Sequence, residues 1–417
     1  MSDLRTAPAA ILFTHFGKEW IRGSERALLD LLTHIDRRRF QPVVWCNAET
    51  LASEVRALEI PVHVSKFSIL LDWVPPRYDI VRYAALVREG RRLVRQYNIR
   101  LLHSNSAAPT QWLLPVARSV GLPLLSHLLA PYVERERFTL GLHQATLVVG
   151  VTSGCIEGLL KDGLPASRTM TIHCGVDLTA WRGWDQRGLR ASLGIGPEEI
   201  VITQVGSLIH RKGHDVLLRA FSEVRSQRPQ CRLLIVGDGP DRPAIEALSR
   251  ELDLGASVHF LGFVDPPPGV IFRDATDIAV SPSRAEGFGL TVIEAGAAGR
   301  AVVATSTTGM TEIIADEESG LIVPIEDPRR LAQALLQLVD DPALRQRLGD
   351  ALNQVVQERF VISRYVANFE SAYERLLAIP KKDLGWRSGW WSGQFTMYGR
   401  WVAATVTKRM AWLIRGS

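Results

Sequence analysis

The sequence predicts an α/β protein built from two doubly wound parallel sheets, followed by a basic, aromatic tail. Short apolar runs alternate with segments of helical apolar spacing, the alternation is interrupted once over residues 177–196, and the composition changes after Pro380. The chain has 417 residues, of which 46% are hydrophobic and 22% charged. These values exclude a disordered or fibrous chain and allow two or three domains.

The first half, residues 1–184, has the βαβ rhythm of a parallel sheet. Segments with helical spacing, such as residues 24–35 and 78–97, separate its short apolar runs. The predicted strands are residues 10–13, 43–46, 99–103, 122–126 and 147–151.

The same rhythm restarts in residues 185–380. The predicted strands are residues 200–205, 231–236, 257–261, 277–281, 301–304 and 320–323, and the predicted helices are residues 215–225, 242–251, 329–339 and 363–377. Ligands of doubly wound sheets bind at the carboxyl ends of the strands, so the predicted site is a cleft between the two halves.

Charge is unevenly distributed along the chain. Residues 1–180 hold 21 basic and 16 acidic side chains, residues 181–380 hold 21 and 27, and residues 381–417 hold 7 and 1. A basic half suits nucleic acid, anionic lipid or an anionic substrate. We expect no nucleic-acid partner, because the second half is acidic and lacks interleaved stacking aromatics.

Cysteine usage and hydropathy predict a cytoplasmic protein. Four cysteines are scattered without a C-x-x-C pair, which argues against a disulfide framework or a zinc site and fits a reducing compartment. No signal peptide is recognisable, and no stretch approaches 18 uncharged apolar residues.

The most informative segment is the strand–turn–helix sequence of residues 277–299. A Gly-rich turn follows the strand, and a helix is predicted to begin near Leu290, so its free N–H groups and dipole suit a diphosphate. Glu294, one turn into the helix, can accept hydrogen bonds from a ribose diol. Glu286, before the glycines, can bind sugar hydroxyls. Taken alone, the two glutamates could equally flank an ordinary helix cap.

A second glycine turn follows the strand of residues 200–205. Gly206 permits close backbone approach to a ligand, and Arg211 and Lys212 add a forked donor and a point charge suited to a diphosphate leaving group. Alone, these charges would favour a solvated turn that caps the next helix.

In this order, these motifs resemble glycosyltransferase family 4, the group 1 glycosyl transferases of the GT-B fold. The resemblance covers residues 200–348. It includes the Gly-Ser…Arg-Lys-Gly turn, Ile235-Val-Gly-Asp-Gly-Pro240, Val258-His-Phe-Leu-Gly-Phe263, the pair Glu286–x7–Glu294, and Gly309-Met-Thr-Glu312. The first half resembles the family more loosely. Gly23-Ser-Glu-Arg26 looks like its Gly-Gly-x-Glu loop, with Arg22 in place of the first glycine, and His127 looks like the strand-end histidine that contacts the donor sugar.

The resemblance implies two Rossmann-like domains facing each other across a cleft, an acceptor-binding domain (1–184) and a nucleotide-sugar-binding domain (185–380). It implies sugar transfer from a nucleotide-sugar donor to a saccharide acceptor with retention of configuration. The predicted catalytic residues are Glu286, Lys212, Arg211 and His127, and the predicted donor-binding residues are Glu294, Gly287, Phe288, Gly289, Leu290, Gly206 and Gly23. We expect no cofactor and no metal, because the helix N-terminus with Arg211 and Lys212 can neutralise the diphosphate and no Asp-x-Asp motif is present.

The tail, residues 381–417, holds five of the 11 tryptophans and seven basic residues. One interpretation is an interfacial helix on anionic lipid at the inner face of the cytoplasmic membrane, which would suit a lipid-linked saccharide acceptor in polysaccharide biosynthesis. The other is that the tail packs back on the first half. The main alternative for the whole chain is a non-catalytic sugar-nucleotide-binding or membrane scaffold protein of the same fold.

Overall fold

A computed structural model describes residues 7–71 and 78–384, which form two compact units. The first unit contains the described residues up to Ile172 together with residues 366–384, and the second is His173–Tyr365. Each unit has its own parallel sheet.

The described part of the first unit contains a seven-stranded parallel sheet in the order β3-β2-β1-β4-β5-β6-β7. Its elements in chain order are β1 Ala9–His15, α1 Gly23–His34, β2 Phe40–Cys46, α2 Glu49–Ala57, β3 Val62–Val64, α3 Ile80–Gln96, β4 Leu101–Asn105, α4 Thr110–Val120, β5 Leu124–Leu128, α5 Glu134–Thr139, β6 Leu147–Gly150, α6 Ser153–Lys161 and β7 Thr169–Thr171. Every residue of β1, β4, β5 and β6 is buried, as expected for apolar runs covered on both faces.

The described residues of the second unit form a six-stranded parallel sheet in the order β10-β9-β8-β11-β12-β13. The elements from its start are α7 Leu189–Ser192, β8 Ile200–Val205, α8 His214–Gln227, β9 Cys231–Val236, α9 Arg242–Glu251, β10 Val258–Gly262, α10 Pro268–Ala275, β11 Ile278–Ser281, α11 Leu290–Ala297, β12 Ala301–Thr305, α12 Thr308–Thr311, β13 Leu321–Val323, α13 Pro328–Asp340, α14 Pro342–Arg359 and α15 Ile362–Leu377.

Strand β9 shows how the sequence pattern builds this second sheet. Leu233 and Ile235 belong to the hydrophobic cluster that includes α8 and α13, whereas Leu234 and Val236 belong to the cluster that includes Ile271. Successive side chains of a strand point to opposite faces, so a continuous apolar run fills both layers. The two predicted parallel α/β sheets are confirmed.

The structural division differs from the predicted boundaries at residues 184 and 380. Residues 173–184 belong to the second unit, where Val176 N–H donates to the Phe360 carbonyl at 2.8 Å. The chain returns to the first unit at Val366, inside α15, because Phe369 and Tyr373 pack around His103. An amphipathic pattern predicts a helix here but cannot show which sheet the helix covers.

The predicted tail lies almost entirely outside the described residues, since the structure describes nothing after Leu384. Within residues 7–71 and 78–384, no helix combines the length and the apolar character needed to cross a bilayer.

Candidate active site

In the second unit, the ends of β8 and β11 bring three predicted catalytic residues together. Lys212 Nζ lies 2.5 Å from Glu286 Oε2, and Arg211 Nη1 lies 3.5 Å from Glu286 Oε1. Arg211 also donates to the Ala285 carbonyl at 2.8 Å. These contacts join residues about 74 positions apart in the chain, which the neighbouring positions of β8 and β11 make possible.

Glu286 is ionised in this arrangement. Burial alone raises the pKa of its carboxyl, but the charges of Lys212 and Arg211, with hydrogen bonds from Lys212 and Ser283, outweigh burial and hold the pKa below its usual range. Only 13% of the Glu286 side chain and 15% of the Lys212 side chain are exposed. One carboxylate facing two cations leaves this cluster of three side chains with one net positive charge.

The backbone around Lys212 is held by a close approach that only glycine allows. Gly213 has a φ of +67°, and a Cβ there would lie 2.0 Å from the Pro282 carbonyl oxygen. Arg284 N–H donates to the Arg211 carbonyl at 2.8 Å. The turn that carries Arg211 and Lys212 is therefore locked against the segment that carries Glu286.

The Gly-rich turn leads into α11 as predicted. The helix begins at Leu290, after Gly289 with a φ of +129°. Gly287, Phe288 and Gly289 are buried, and a Cβ on Gly309 would lie 2.3 Å from the Phe288 carbonyl oxygen. The turn is thus packed against the start of α12.

The two remaining predicted donor residues of this unit are Glu294 and Gly206. They lie close, in sequence or in space, to the cluster formed by Lys212, Arg211 and Glu286. Glu294 is half-buried and lies one turn after Leu290. Gly206 follows β8, and a Cβ there would lie 3.6 Å from the Lys212 side chain, an ordinary contact distance. Gly206 thus lies beside the aliphatic part of Lys212.

In the first unit, the carboxyl ends of β1, β4 and β5 carry a polar row. His15 pairs in register with Asn105, and Asn105 pairs with His127. This is the point where the strand order reverses, with β1 between β2 and β4, and such points are the usual ligand sites of doubly wound sheets. All three side chains are buried.

His127 lies within β5, which extends to Leu128, two residues beyond the predicted end of this strand. The predicted strand, residues 122–126, is shifted by two residues because the apolar Leu128 continues the ladder with Gly150 on β6, and His127 lies next to the strand end, as the resemblance implied. Burial lowers the pKa of His127 to about 3, so its imidazole is neutral at physiological pH.

His103 lies on β4 and is fully buried. Its Nδ1 is 2.7 Å from the Tyr373 hydroxyl, and its ring stacks on Phe369. Burial, with repulsion from His127, holds the pKa of His103 well below its usual range. His103 thus serves the packing of α15.

Gly23, predicted in the donor loop, is the first residue of α1. Just before it, Arg22 N–H donates to Glu25 Oε2 at 3.1 Å, and the Arg22 guanidinium lies 3.7 Å from the centroid of the Trp20 ring. Arg22, which replaces the family's first glycine, therefore covers a tryptophan.

Sequence reasoning missed His15 and Asn105, which link Glu25 to His127 through hydrogen bonds. The available signal was a polar residue at the end of each apolar run, Phe13-Thr-His15 and His103-Ser-Asn105. Within the described ranges 7–71 and 78–384, no three His, Cys, Asp or Glu side chains are grouped as metal ligands would be.

Two family models match the chain in succession. Residues 21–180 match the model described as Glycosyltransferase Family 4, and residues 185–354 match the model described as Glycosyl transferases group 1. The chain belongs to these family 4, group 1 glycosyltransferases. The family matches cover most of both units, in agreement with the resemblance in the sequence.

Curated relatives of this glycosyltransferase are similar over part of their length. D-inositol 3-phosphate glycosyltransferase 2 of Catenulispora acidiphila is 36% identical over 224 residues, which are 51% of this chain and 52% of the relative. The D-inositol 3-phosphate glycosyltransferase of Rhodococcus jostii is 37% identical over 203 residues, 47% of this chain and 45% of the relative. The chain thus spans about half the length of the curated relatives it matches.

Solved structures share the fold of this glycosyltransferase. HepE of Anabaena, crystallised with UDP and glucose, has a TM-score of 0.74 at 20% identity and covers 87% of this chain and 99% of its own. A glycosyltransferase of Rickettsia africae has a TM-score of 0.77 at 18% identity and covers 89% of this chain and 100% of its own. The predicted GT-B fold is confirmed.

Proposed function

We propose that the chain is a retaining glycosyltransferase that moves a sugar from a nucleotide-sugar donor to a saccharide acceptor. The observation that carries the proposal is the contact of Lys212 and Arg211 with Glu286 beside the glycine turn before α11. Cations and a helix N-terminus that follow the ends of two neighbouring strands suit a diphosphate leaving group.

Arg211 and Lys212 neutralise the negative charge that develops on the leaving diphosphate. The Lys212 ammonium has three N–H donors, so it can keep its bond to Glu286 and still donate to a phosphate oxygen. The Arg211 side chain is 47% exposed, which leaves its guanidinium accessible. With the N-terminus of α11 these groups supply the neutralisation for which other enzymes use a metal, so we propose a reaction without metal or other cofactor.

Glu294 holds the ribose, and Glu286 with the Gly287–Gly289 amides holds the sugar. Phe288 and Leu290 belong to the same donor turn, and Gly206 allows the ligand to approach the backbone beside Lys212. His127 and Gly23, of the first unit, keep their predicted roles toward the donor sugar and phosphates.

Retention follows from attack by the acceptor on the face that the diphosphate leaves. A carboxylate whose pKa is lowered and whose oxygen is bonded to Lys212 is a poor nucleophile, which disfavours a covalent intermediate on Glu286. Mass spectrometry of the enzyme quenched during turnover tests this step. A sugar covalently attached to Glu286 would overturn it.

The acceptor is a saccharide carried on a lipid, and the enzyme works in polysaccharide biosynthesis at the cytoplasmic face of a membrane. Helix α3 supports this: Arg88, Arg92 and Arg95 are exposed on it, and its first two residues, Ile80 and Val81, are 67% and 79% exposed. Basic and apolar side chains together suit an anionic lipid surface. The names of the curated relatives indicate a competing acceptor, inositol 3-phosphate.

A thermal-shift panel of UDP-, GDP-, ADP- and dTDP-sugars tests the donor proposal, with Glu294→Ala as the control. A ligand at 100 times its dissociation constant stabilises by about 2.7 kcal/mol. We expect a shift from one donor class that Glu294→Ala abolishes. No shift from any donor, with or without anionic vesicles, would reject the donor site.

Turnover with lipid-linked saccharides and with inositol 3-phosphate then identifies the acceptor. Vesicle co-sedimentation of the wild type and of the triple variant Arg88→Ser, Arg92→Ser, Arg95→Ser tests the lipid surface. A donor-induced shift without turnover on any acceptor would favour the non-catalytic sugar-nucleotide-binding alternative.

A further inference from the structure

We propose that Arg284 is a positioning residue whose side chain fixes the turn that carries Arg211 and Lys212. The inference deepens the proposed function and rests on it, because the place of these two cations matters for transfer only if they face a leaving diphosphate. Arg284 lies after β11, two residues before Glu286, and only 13% of its side chain is exposed. The contacts that carry the inference lie within the second unit.

The Arg284 guanidinium is fully used within the protein. Nε donates to Glu326 Oε1. Nη1 donates to the His210 carbonyl at 2.6 Å and to Asp215 Oδ1 at 2.8 Å, and Nη2 donates to Asp215 Oδ2 at 2.7 Å and to Glu326 Oε2 at 3.0 Å. A guanidinium has five N–H donors, and these bonds use all of them. Arg284 therefore acts on the reaction through the residues it holds, and Arg211 and Lys212 remain the groups that face the diphosphate.

The acceptors around Arg284 belong to three separate segments of the chain. The His210 carbonyl begins the turn His210–Lys212, Asp215 lies in the first turn of α8, and Glu326 lies in the loop between β13 and α13. A planar, rigid fork that reaches all three segments fixes their distances from one another. The turn that bears the cations is thus tied to two neighbouring elements by one side chain.

Asp215 joins this arrangement to helix α8. The hydrogen bonds from Arg284 are the largest cause that holds the pKa of Asp215 below its usual range, and backbone N–H groups of Asp215 and Val216 lower it further. The ionised carboxylate thus also caps the N-terminus of the helix, where a negative charge is favourable. Through Asp215, Arg284 anchors the turn to a helix of 14 residues.

The backbone of Glu326 supports the same interpretation. Its φ is +62°, a conformation that costs free energy in a non-glycine residue. The hydrogen bonds from Arg284 are the largest cause that lowers the pKa of the Glu326 carboxyl. Strain at the residue that presents this carboxylate indicates that the surrounding contacts, with Arg284 among them, determine its position.

The position of the turn determines where the two cations lie. Arg211 and Lys212 contact Glu286 from this turn, and Arg211 also donates to the Ala285 carbonyl, next to Arg284. A displacement of about 1 Å at a catalytic group can lower a rate by about 100-fold. Arg284 thus matters for transfer to the extent that it prevents such a displacement.

The conservative variant Arg284→Lys gives the sharpest test. Lysine keeps the positive charge, but its single nitrogen cannot reproduce the fork that reaches three segments. The first readout is the pKa of Glu286. Burial raises this pKa and the charges of Lys212 and Arg211 lower it, so it should rise when the turn moves away. Carboxyl ¹³C NMR of glutamate-labelled protein measures the pKa, and Glu286→Gln assigns the signal by its loss.

We expect a higher Glu286 pKa in Arg284→Lys and a smaller rise in Asp215→Asn. The second variant keeps the guanidinium and places an amide nitrogen against it, so it provides the test even where Arg284→Lys does not fold. Arg228→Lys is the matched control, because Arg228 binds Asp340 with two nitrogens, at 2.6 and 2.7 Å, in the same unit. It should leave the Glu286 pKa unchanged. An unchanged pKa in both site variants would overturn the proposal.

Kinetics separate the inference from the proposed function. Arg284→Lys should lower kcat about tenfold or more and change the donor KM less, because the cations act on charge that develops in the transition state. Arg228→Lys should leave both constants unchanged, and it separates loss of an ion pair from loss of position. The NMR measurement needs no substrate, so a chain without transferase activity that still shows the Glu286 shift would reject the function and retain the role of Arg284. Equal kcat in the wild type and Arg284→Lys would overturn its role in catalysis.

Discussion

Lys212 and Glu286 form a short ion pair, with Nζ 2.5 Å from Oε2, although 74 residues separate them in the chain. Both side chains are mostly buried, and Arg211 adds a second cation at 3.5 Å. Together with Arg211, the pair forms a cluster with one net positive charge in the second unit. Its strength and its role in catalysis can be tested separately.

Removing the Lys212 cation, or the Glu294 carboxylate that is proposed to hold the ribose, should abolish most of the activity. We expect Lys212→Ala and Glu294→Ala each to lower turnover about 100-fold or more, the scale of a lost transition-state donor. Steady-state kinetics with the identified donor measure this effect. Lys161→Ala is the control, since that lysine is 72% exposed and forms its ion pair with Glu157 on its own helix. Unchanged kinetics in either site variant would reject the assignment.

The ion pair should also contribute to the free energy of unfolding. Lys212→Met leaves a buried carboxylate without its principal partner, so the pKa of Glu286 should rise, and the free energy of unfolding at pH 7 should fall by roughly 3 kcal/mol. The loss should shrink toward pH 4, because protonation of the variant's carboxyl relieves the unpaired buried charge. Urea denaturation at both pH values measures it. The double variant Lys212→Met, Glu286→Gln should recover most of the loss, and equal destabilisation at both pH values would contradict the prediction.

Neutral buried histidines should make the first unit sensitive to acid. Burial lowers the pKa of His127 to about 3, while an unfolded histidine titrates near 6.5. Between these values the unfolded chain binds more protons, so the stabilisation is complete above pH 6.5 and is lost as the pH falls. Each such histidine contributes about 1.4 kcal/mol per pH unit.

Denaturation of the wild type between pH 7 and pH 5 measures this loss. His127→Gln should lose less stability over that range, whereas the exposed His210→Gln serves as the control. Identical pH dependence in the wild type and His127→Gln would show that folding leaves the pKa of His127 unchanged.

Gly17 should tolerate no side chain. Gly17→Ala places a methyl group 2.6 Å from Glu25 Oε1 and His15 Nε2, so we expect a loss of about 1–3 kcal/mol in the free energy of unfolding and lower activity. Gly188→Ala is the matched control, because Gly188 has a φ of −78° and its added methyl group would have no atom within 4 Å. Equal stability of the two variants would mean that the loop at Gly17 moves freely.

The sequence alone predicts most of the central strands, because they are continuous apolar runs buried on both faces. It does not predict β3 and β7, which are three residues long and only partly buried. Short edge strands carry too few apolar residues to show a period, and their pairing with β2 and β6 is a property of the assembled sheet.

The residues of the site likewise include some that the sequence predicts and some that it does not. Arg211, Lys212 and Glu286 are predictable because each lies in a local motif, and the structure brings them into contact. His15 and Asn105 are not, because their bond joins residues 90 positions apart and neither lies in a recognisable motif. A hydrogen bond between residues so far apart in the chain depends on β1 lying beside β4 and on the register of these two strands.

Helix α15 returns to the first unit at Val366, after the whole of the second unit has been added to the chain. Phe369 and Tyr373, which cover His103, are therefore among the last described residues to leave the ribosome. The second unit is one continuous stretch, His173–Tyr365, and can fold as soon as that stretch has emerged. During synthesis the surface of the first unit around His103 therefore stays uncovered by α15 until the whole stretch that forms the second unit has been made.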